Sequence, residues 1–195
     1  MRSELFDRTS NDASFIMALK CDPDHRIHVC SLAALETVVA KTKATHVVSA
    51  INPWSIPETP SGIEPQNHLK IAVNDIVEPQ PGLVEPTCNH IEELLTFIGH
   101  WNASSAMVIH CLAGISRSSA AAFIALCQLN AKTDERVIAA QLRAASATAT
   151  PNSRMVALAD KHMQRSGRMR EAVTTIGRGE ARLSGEPFSL AHIVS

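Results

Sequence analysis

The apolar residues of this chain fall into short blocks of two periods. Arg26-Ile27-His28-Val29-Cys30-Ser31 alternates and is rich in β-branched residues, which predicts a strand. Leu32 to Lys43 places Leu32, Leu35, Val38 and Val39 at helical spacing. Thr45 to Ile51 predicts a second strand, and strand, helix, strand at this spacing predicts a βαβ unit with a parallel pair. Asn52 to His68 carries Pro53, Pro57, Pro60, Gly62 and Pro65, so a long loop is expected there. Leu69 to Val73 is a third strand. Cys88 to Ile98 is a helix with Ile91, Leu94, Leu95 and Ile98 on one face. Ala106-Met107-Val108-Ile109 reads as a buried strand, followed by an apolar helix from Ser118 to about Asn130. Another helix runs from Asp134 to Ala147 with Thr133 as its cap, and a further one opens with Thr150 as N-cap and Pro151 at its first position.

These elements predict an α/β fold with a central, mostly parallel sheet flanked by helices. Residues 1–24 are a polar lead-in with a short helix around Ser14–Lys20, and residues 25–165 form the domain. Residues 166–195 are an extension rich in arginine and glycine, solvated or packed, or a docking surface for an acidic partner. No element is predicted in it.

Composition narrows the chemistry. At 195 residues the chain is long enough for one sizeable core. A net charge of −1 gives no electrostatic case for nucleic acid or a membrane surface as partner. The N-terminus lacks the apolar stretch of a signal peptide, and no apolar run approaches a membrane span. Five cysteines without a Cys-x-x-Cys pair give no disulfide or zinc framework, and the nine histidines form no His-Glu-x-x-His set, so no metal or other cofactor is implied. A reducing cytoplasm is the expected location.

The chemistry concentrates at His110-Cys111-Leu112-Ala113-Gly114-Ile115-Ser116-Arg117-Ser118. A loop between a buried strand and a helix N-terminus makes an anion site, because backbone N–H groups of Leu112, Ala113, Gly114, Ile115, Ser116 and Arg117 can converge and the helix dipole adds positive charge. Arg117 brings a planar fork suited to two phosphate oxygens. Thiols in such surroundings have pKa values of roughly 3.5–7.5 against about 8.5 when free, so Cys111 is expected to be a thiolate nucleophile aimed at phosphorus. Asp75 follows the third strand, at the same sheet edge. A carboxyl group there can protonate a leaving oxygen and then activate water, worth typically ~10²–10⁴ in rate. Glu78 and Glu85 are competing carboxylates.

This stretch resembles the His-Cys-x5-Arg-Ser/Thr signature of the cysteine-based protein tyrosine phosphatases, and Ala-Gly-x-Ser-Arg-Ser resembles its dual-specificity branch. The resemblance implies the compact fold of that branch and metal-free hydrolysis through a cysteinyl-phosphate. It assigns Cys111 as nucleophile, Arg117 as phosphate clamp and Asp75 as acid and base, although Asp75 lies slightly further upstream than usual. His110 is expected to shape the loop. Ser118 caps the helix, eases departure of the Cys111 sulfur, or both. The Pro151-Asn152 pair also resembles that branch and reads as structural.

For substrate, the uncharged Leu112, Ala113, Ile115 and Ser116 favour a phosphoprotein, phosphotyrosine first with phosphoserine and phosphothreonine open. Phosphatases of this superfamily acting on inositol phospholipids often carry lysines there. A phosphoinositide or small-molecule phosphatase is the second reading, and a silent phospho-ligand binding module the third. Trp54 pins the long loop to the core or walls the substrate site. Cys21, Cys30, Cys88 and Cys127 read as buried or inert, with a disulfide to Cys111 as the alternative.

Overall fold

A computed structural model describes residues 26–101, 103 and 105–192. The lead-in, its expected helix and Cys21 lie outside the described residues. The elements in chain order are β1 (Arg26–Ser31), α1 (Leu35–Thr42), β2 (His46–Ile51), β3 (His68–Ala72), α2 (Cys88–His100) and β4 (Met107–Cys111). α3 (Arg117–Leu129), α4 (Glu135–Ala145), α5 (Ser153–His162), α6 (Arg168–Ile176) and β5 (Phe188–Ala191) complete them.

The sheet order is β3-β2-β4-β1-β5, parallel except for β5, which runs antiparallel along β1. This is the expected mostly parallel sheet, with one correction. β1 and β2 are not neighbours, because β4 lies between them and pairs with both. All five residues of β4 are buried, as a strand covered on both faces requires. Its apolar run outcompetes the pairing that chain proximity suggests.

Each face has its own core. One packs α1 on the sheet through Cys30, Leu35, Val38, Val39, Val47 and Val108. The other gathers the remaining helices around α3, buried at every position from Arg117 to Cys127 with Phe123 at its middle. The parallel strands β1 to β4 all end at one edge of the sheet. That edge is where ligands bind in open α/β sheets.

The expected boundaries hold within a few residues, but two caps differ. Asp134, not Thr133, caps α4 by accepting from Arg136 N at 2.8 Å. Asn152, not Thr150, caps α5 by accepting from Met155 N at 3.0 Å. A residue in extended conformation just before the first helical turn holds this place, and both occupants are among the strongest capping residues. Trp54 is 68% exposed and does not pin the long loop, whereas Ile63 from the same loop is buried against α1.

The region past residue 165 contributes a helix and a strand to the same body. Met169, Ala172 and Leu190 are buried in the larger core. Asp160 on α5 accepts from Gly167 N at 2.7 Å and Met169 N at 2.8 Å, capping α6 from a neighbouring helix. Arg165 and Arg168 both meet the buried Glu135, at 2.9 and 3.1 Å.

Candidate active site

The loop after β4 is shaped by its carbonyls. Leu112 O accepts from Leu32 N at 3.2 Å, Ala113 O from Gly185 N at 2.9 Å, Ile115 O from Thr150 N at 3.0 Å, and Ser116 O from Asn152 N at 3.3 Å. The peptide is planar and trans, so a carbonyl turned outward leaves the following N–H turned inward. The N–H groups of Ala113, Gly114, Ser116 and Arg117 are therefore directed to the inside of the loop. Gly114 N reaches Cys111 Sγ at 3.2 Å. Gly114 has φ +74°, and a Cβ on it would lie 2.8 Å from Cys30 C and Ser31 N, so glycine alone fits this turn.

Cys111 itself is 2% exposed. Its sulfur has a second partner in Ser118 Oγ, at 3.2 Å. Ser118 sits one residue inside α3, and Ser116 occupies the capping position, so the Ser118 hydroxyl is turned to the sulfur. Arg117 is buried at the first position of α3. Its Nη1 donates to Asn52 Oδ1 at 2.7 Å and to Val73 O at 2.8 Å. These anchors come from the ends of β2 and β3 and fix the guanidinium plane. Arg117 Nε is buried and has no protein partner, which leaves that edge of the fork for two oxygens of an anion.

Asp75 stands at the rim. Its Oδ1 accepts from Ser116 Oγ at 2.7 Å and from Asn152 Nδ2 at 2.8 Å. Of the three upstream carboxylates, Asp75 is the one that lines the cleft, which has a volume of about 370 Å³ and is also lined by Cys111, Ala113, Ile115, Ser116 and Arg117. Glu85 is instead paired with Arg154 at 2.7 Å, and Arg154 also donates to Pro86 O and Val77 O, bracing the segment that carries Asp75.

Beneath the loop lies a buried polar chain. His110 Nδ1 lies 3.3 Å from Cys111 O. A carbonyl only accepts, so Nδ1 carries the proton and Nε2 accepts from Ser49 Oγ, its partner on β2. Having spent its single proton, Ser49 Oγ accepts from His68 Nε2 at 2.7 Å, and His68 Nδ1 accepts from Thr59 Oγ1 at 3.0 Å. This is the pattern that two neutral rings make. Burial pushes His110 down to about 4, opposed by the bond to Cys111 O and aided by the Arg117 charge. Burial, with the Lys70 charge, takes His68 to about 4 as well.

Cys30 and Cys127 are buried and inert by placement, whereas Cys88, expected to be buried or inert, is exposed at the start of α2. Cys30 lies one residue short of the position paired with Cys111 on the adjacent strand, so its side chain points to the opposite face. Burial pushes its thiol up to about 12, as it does for Cys127. All four cysteines among the described residues are free.

The structure thus brings Cys111, Arg117, Asp75 and Ser118 together, with His110 directly beneath. The sequence reading missed Asn52, which orients Arg117. It gave Asn152 a structural role only, although that side chain caps α5 and holds Asp75 at once. It also missed the tail: Arg178, Gly179, Glu180, Ala181 and Arg182 line the same cleft. The visible signal was the cluster of arginines and glycines there, which has no helical or strand period.

No family model matches the chain, and no curated protein matches it. Solved structures do. DUSP15 aligns with a TM-score of 0.55 at 20% identity, over 83% of this chain and 97% of that one. Human DUSP28 aligns with a TM-score of 0.55 at 17% identity, over 72% of this chain and 92% of that one. PTPMT1 in complex with PI(5)P aligns with a TM-score of 0.50 at 13% identity, over 79% and 94%. Among the described residues no helix is long and apolar enough to cross a membrane. The five-stranded sheet, its helices and these likenesses agree: the chain has the fold of the cysteine-based protein tyrosine phosphatases, in its compact dual-specificity form.

Proposed function

We propose that the protein is a phosphomonoester hydrolase acting on phosphoprotein, phosphotyrosine first, through a cysteinyl-phosphate intermediate. The observation that carries the reading is the buried Cys111 sulfur, bonded by Gly114 N and Ser118 Oγ, in one cleft with the unpartnered Nε of Arg117 and the tethered Asp75. The inward N–H groups and the Arg117 fork bind the phosphate dianion. Cys111 thiolate attacks phosphorus as the bond to the leaving oxygen breaks, and Asp75 gives that oxygen its proton. Oδ1 of Asp75 is engaged by Ser116 and Asn152, so Oδ2 carries the transferable proton. Water then attacks phosphorus, Asp75 takes its proton, and the P–S bond breaks with the Ser118 hydroxyl donating to the departing sulfur. Fixed donors stabilise charge on the equatorial oxygens in both steps. No step calls on a metal. A thiolate nucleophile suits a reducing compartment, here the cytoplasm.

A phosphoinositide phosphatase is the second reading, favoured by the shared fold with PTPMT1, which was solved with PI(5)P. The uncharged loop positions weigh against it. Hydrolysis of p-nitrophenyl phosphate without metal and with reductant tests the chemistry. Wild type turns over, Cys111→Ser is inactive, and Asp75→Asn loses ~10²–10⁴ in rate on a substrate with a poor leaving group. Full activity in Cys111→Ser defeats the reading. An inert wild type that still binds vanadate is a phosphate reader instead.

A further inference from the structure

One wall of the catalytic cleft is built from Arg178-Gly179-Glu180-Ala181-Arg182, and this strap is fastened along its length. Arg143 on α4 donates to Gly177 O at 3.0 Å and to Ala147 O at 2.8 Å, joining the start of the strap to the turn after α4. Gly179 N donates to Thr150 Oγ1 at 3.1 Å, and Glu180 N to Ala147 O at 2.9 Å. Beyond the strap, Gly185 N donates to Ala113 O in the phosphate loop itself. A Cβ on Gly179 would lie 2.6 Å from the Thr148 carbonyl, so the strap can come this close only with glycine there.

The two arginines of the strap differ. Arg182 faces Glu180 at 3.4 Å. Arg178 forms no ion pair or hydrogen bond among the described residues. It also lines a second cleft of about 610 Å³, walled by Ile76, Val77, Pro151 and Val173. The two clefts share Asp75, Ser116, Thr150 and Arg178, so they meet at this side chain. A substrate whose phosphate sits over Cys111 has a path past Asp75 into the second cleft, and a free guanidinium stands at the seam.

We propose that Arg178 is a second anion site, and that the substrate is a phosphopeptide carrying a carboxylate or a second phosphate close to the scissile phosphate. This rests on the phosphatase reading. A guanidinium fork matches either anion. A peptide is favoured over a lipid headgroup for two reasons. Two clefts in series suit an extended chain. The phosphate loop adds no charge at Leu112, Ala113, Ile115 or Ser116 with which to surround several phosphates.

The test uses two phosphotyrosine peptides of equal length, one with aspartates flanking the phosphorylated residue and one with asparagines. At low salt, wild type favours the acidic peptide about three- to fivefold in kcat/KM, through KM, the scale of one exposed ion pair. The preference fades above ~0.5 M salt. In Arg178→Ala the ratio falls to about one, in Arg178→Glu it inverts, and Arg178→Lys retains part of it. If wild type hydrolyses p-nitrophenyl phosphate yet treats the peptides alike, or if the preference survives Arg178→Glu, the second site is wrong and the phosphatase reading stands. If wild type cleaves none of the three substrates, both fall. A bisphosphorylated inositol lipid in vesicles cleaved faster than the acidic peptide, and dependent on Arg178, overturns the peptide assignment.

Discussion

The floor and the wall of the cleft are built on opposite principles. The floor is the chain from Thr59 through His68 and Ser49 to His110, in which Ser49, His68 and His110 are buried and the rings neutral. It is supplied by β2 and β4 from the middle of the sheet, by β3 at its edge, and by Thr59 from the long loop. The wall is the strap of residues 178–182, exposed for the most part and charged, supplied by the last part of the chain. The floor holds the nucleophile's backbone in one place, and burial makes every one of its bonds count. The wall touches nothing that reacts. Rigidity is placed under the sulfur, and variable charge is placed where the rest of the substrate must lie.

The sharpest break is in the loop that lies on the floor, where it packs against β1. Gly114→Ala puts a Cβ 2.8 Å from the β1 backbone at positive φ. The turn must open and the inward donors lose their aim, with kcat/KM falling ~10²–10³-fold, the scale for losing an oxyanion donor. Phosphate or vanadate affinity should fall with it. Unchanged affinity defeats the account. Ser49→Ala comes next. It leaves both His68 Nε2 and His110 Nε2 without their partner, which costs about 1–3 kcal/mol of stability. Urea unfolding measures this, and a loss below ~0.5 kcal/mol means the chain is not a structural unit.

The sequence disclosed the floor far better than the wall. β1 runs over the residues expected for it, and the expected βαβ order placed the ends of the strands at one edge with Cys111 and Asp75. Apolar periodicity is local, and strands buried on both faces are written in it. The insertion of β4 between β1 and β2 is a choice among distant partners, invisible to a local pattern. β5 is four residues long and owes its existence to the free edge of β1. α6 is capped by Asp160, which belongs to another helix. Asn152 read as structural and no more, because its bond to Asp75 reaches 77 residues along the chain.

Asn152 separates a structural part from a positioning part. Asn152→Ala loses the cap, about 1 kcal/mol, and the tether on Asp75 as well. Asn152→Asp keeps a cap acceptor for Met155 N but places a carboxylate against Asp75 Oδ1. The expected result is that Ala lowers the thermal midpoint more than Asp, while Asp lowers kcat more than Ala. If kcat follows the thermal midpoint in both variants, Asn152 only caps the helix.

The mildest test leaves the neutral enzyme untouched. His68 is held at about 4 in the folded protein against an ordinary 6.5 in the unfolded chain. Above pH 6.5 neither state carries the proton, so His68 adds no pH dependence there. As pH falls from 6.5 towards 4, the unfolded chain takes up a proton that the folded protein refuses, and stability is lost across that window. Below about 4 both states bind it and the loss stops growing. His110 behaves alike, with the same folded value. His68→Gln removes one of the two contributions and keeps an amide in the chain. Its thermal midpoint is lower than wild type at pH 7 and falls less between pH 7 and 5, before the carboxylates titrate. An unaltered slope in that interval means the folded protein takes up the His68 proton as readily as the unfolded chain. The directed chain then reverses at Thr59, because a doubly protonated His68 leaves no acceptor for the Thr59 hydroxyl and Nδ1 donates to it instead.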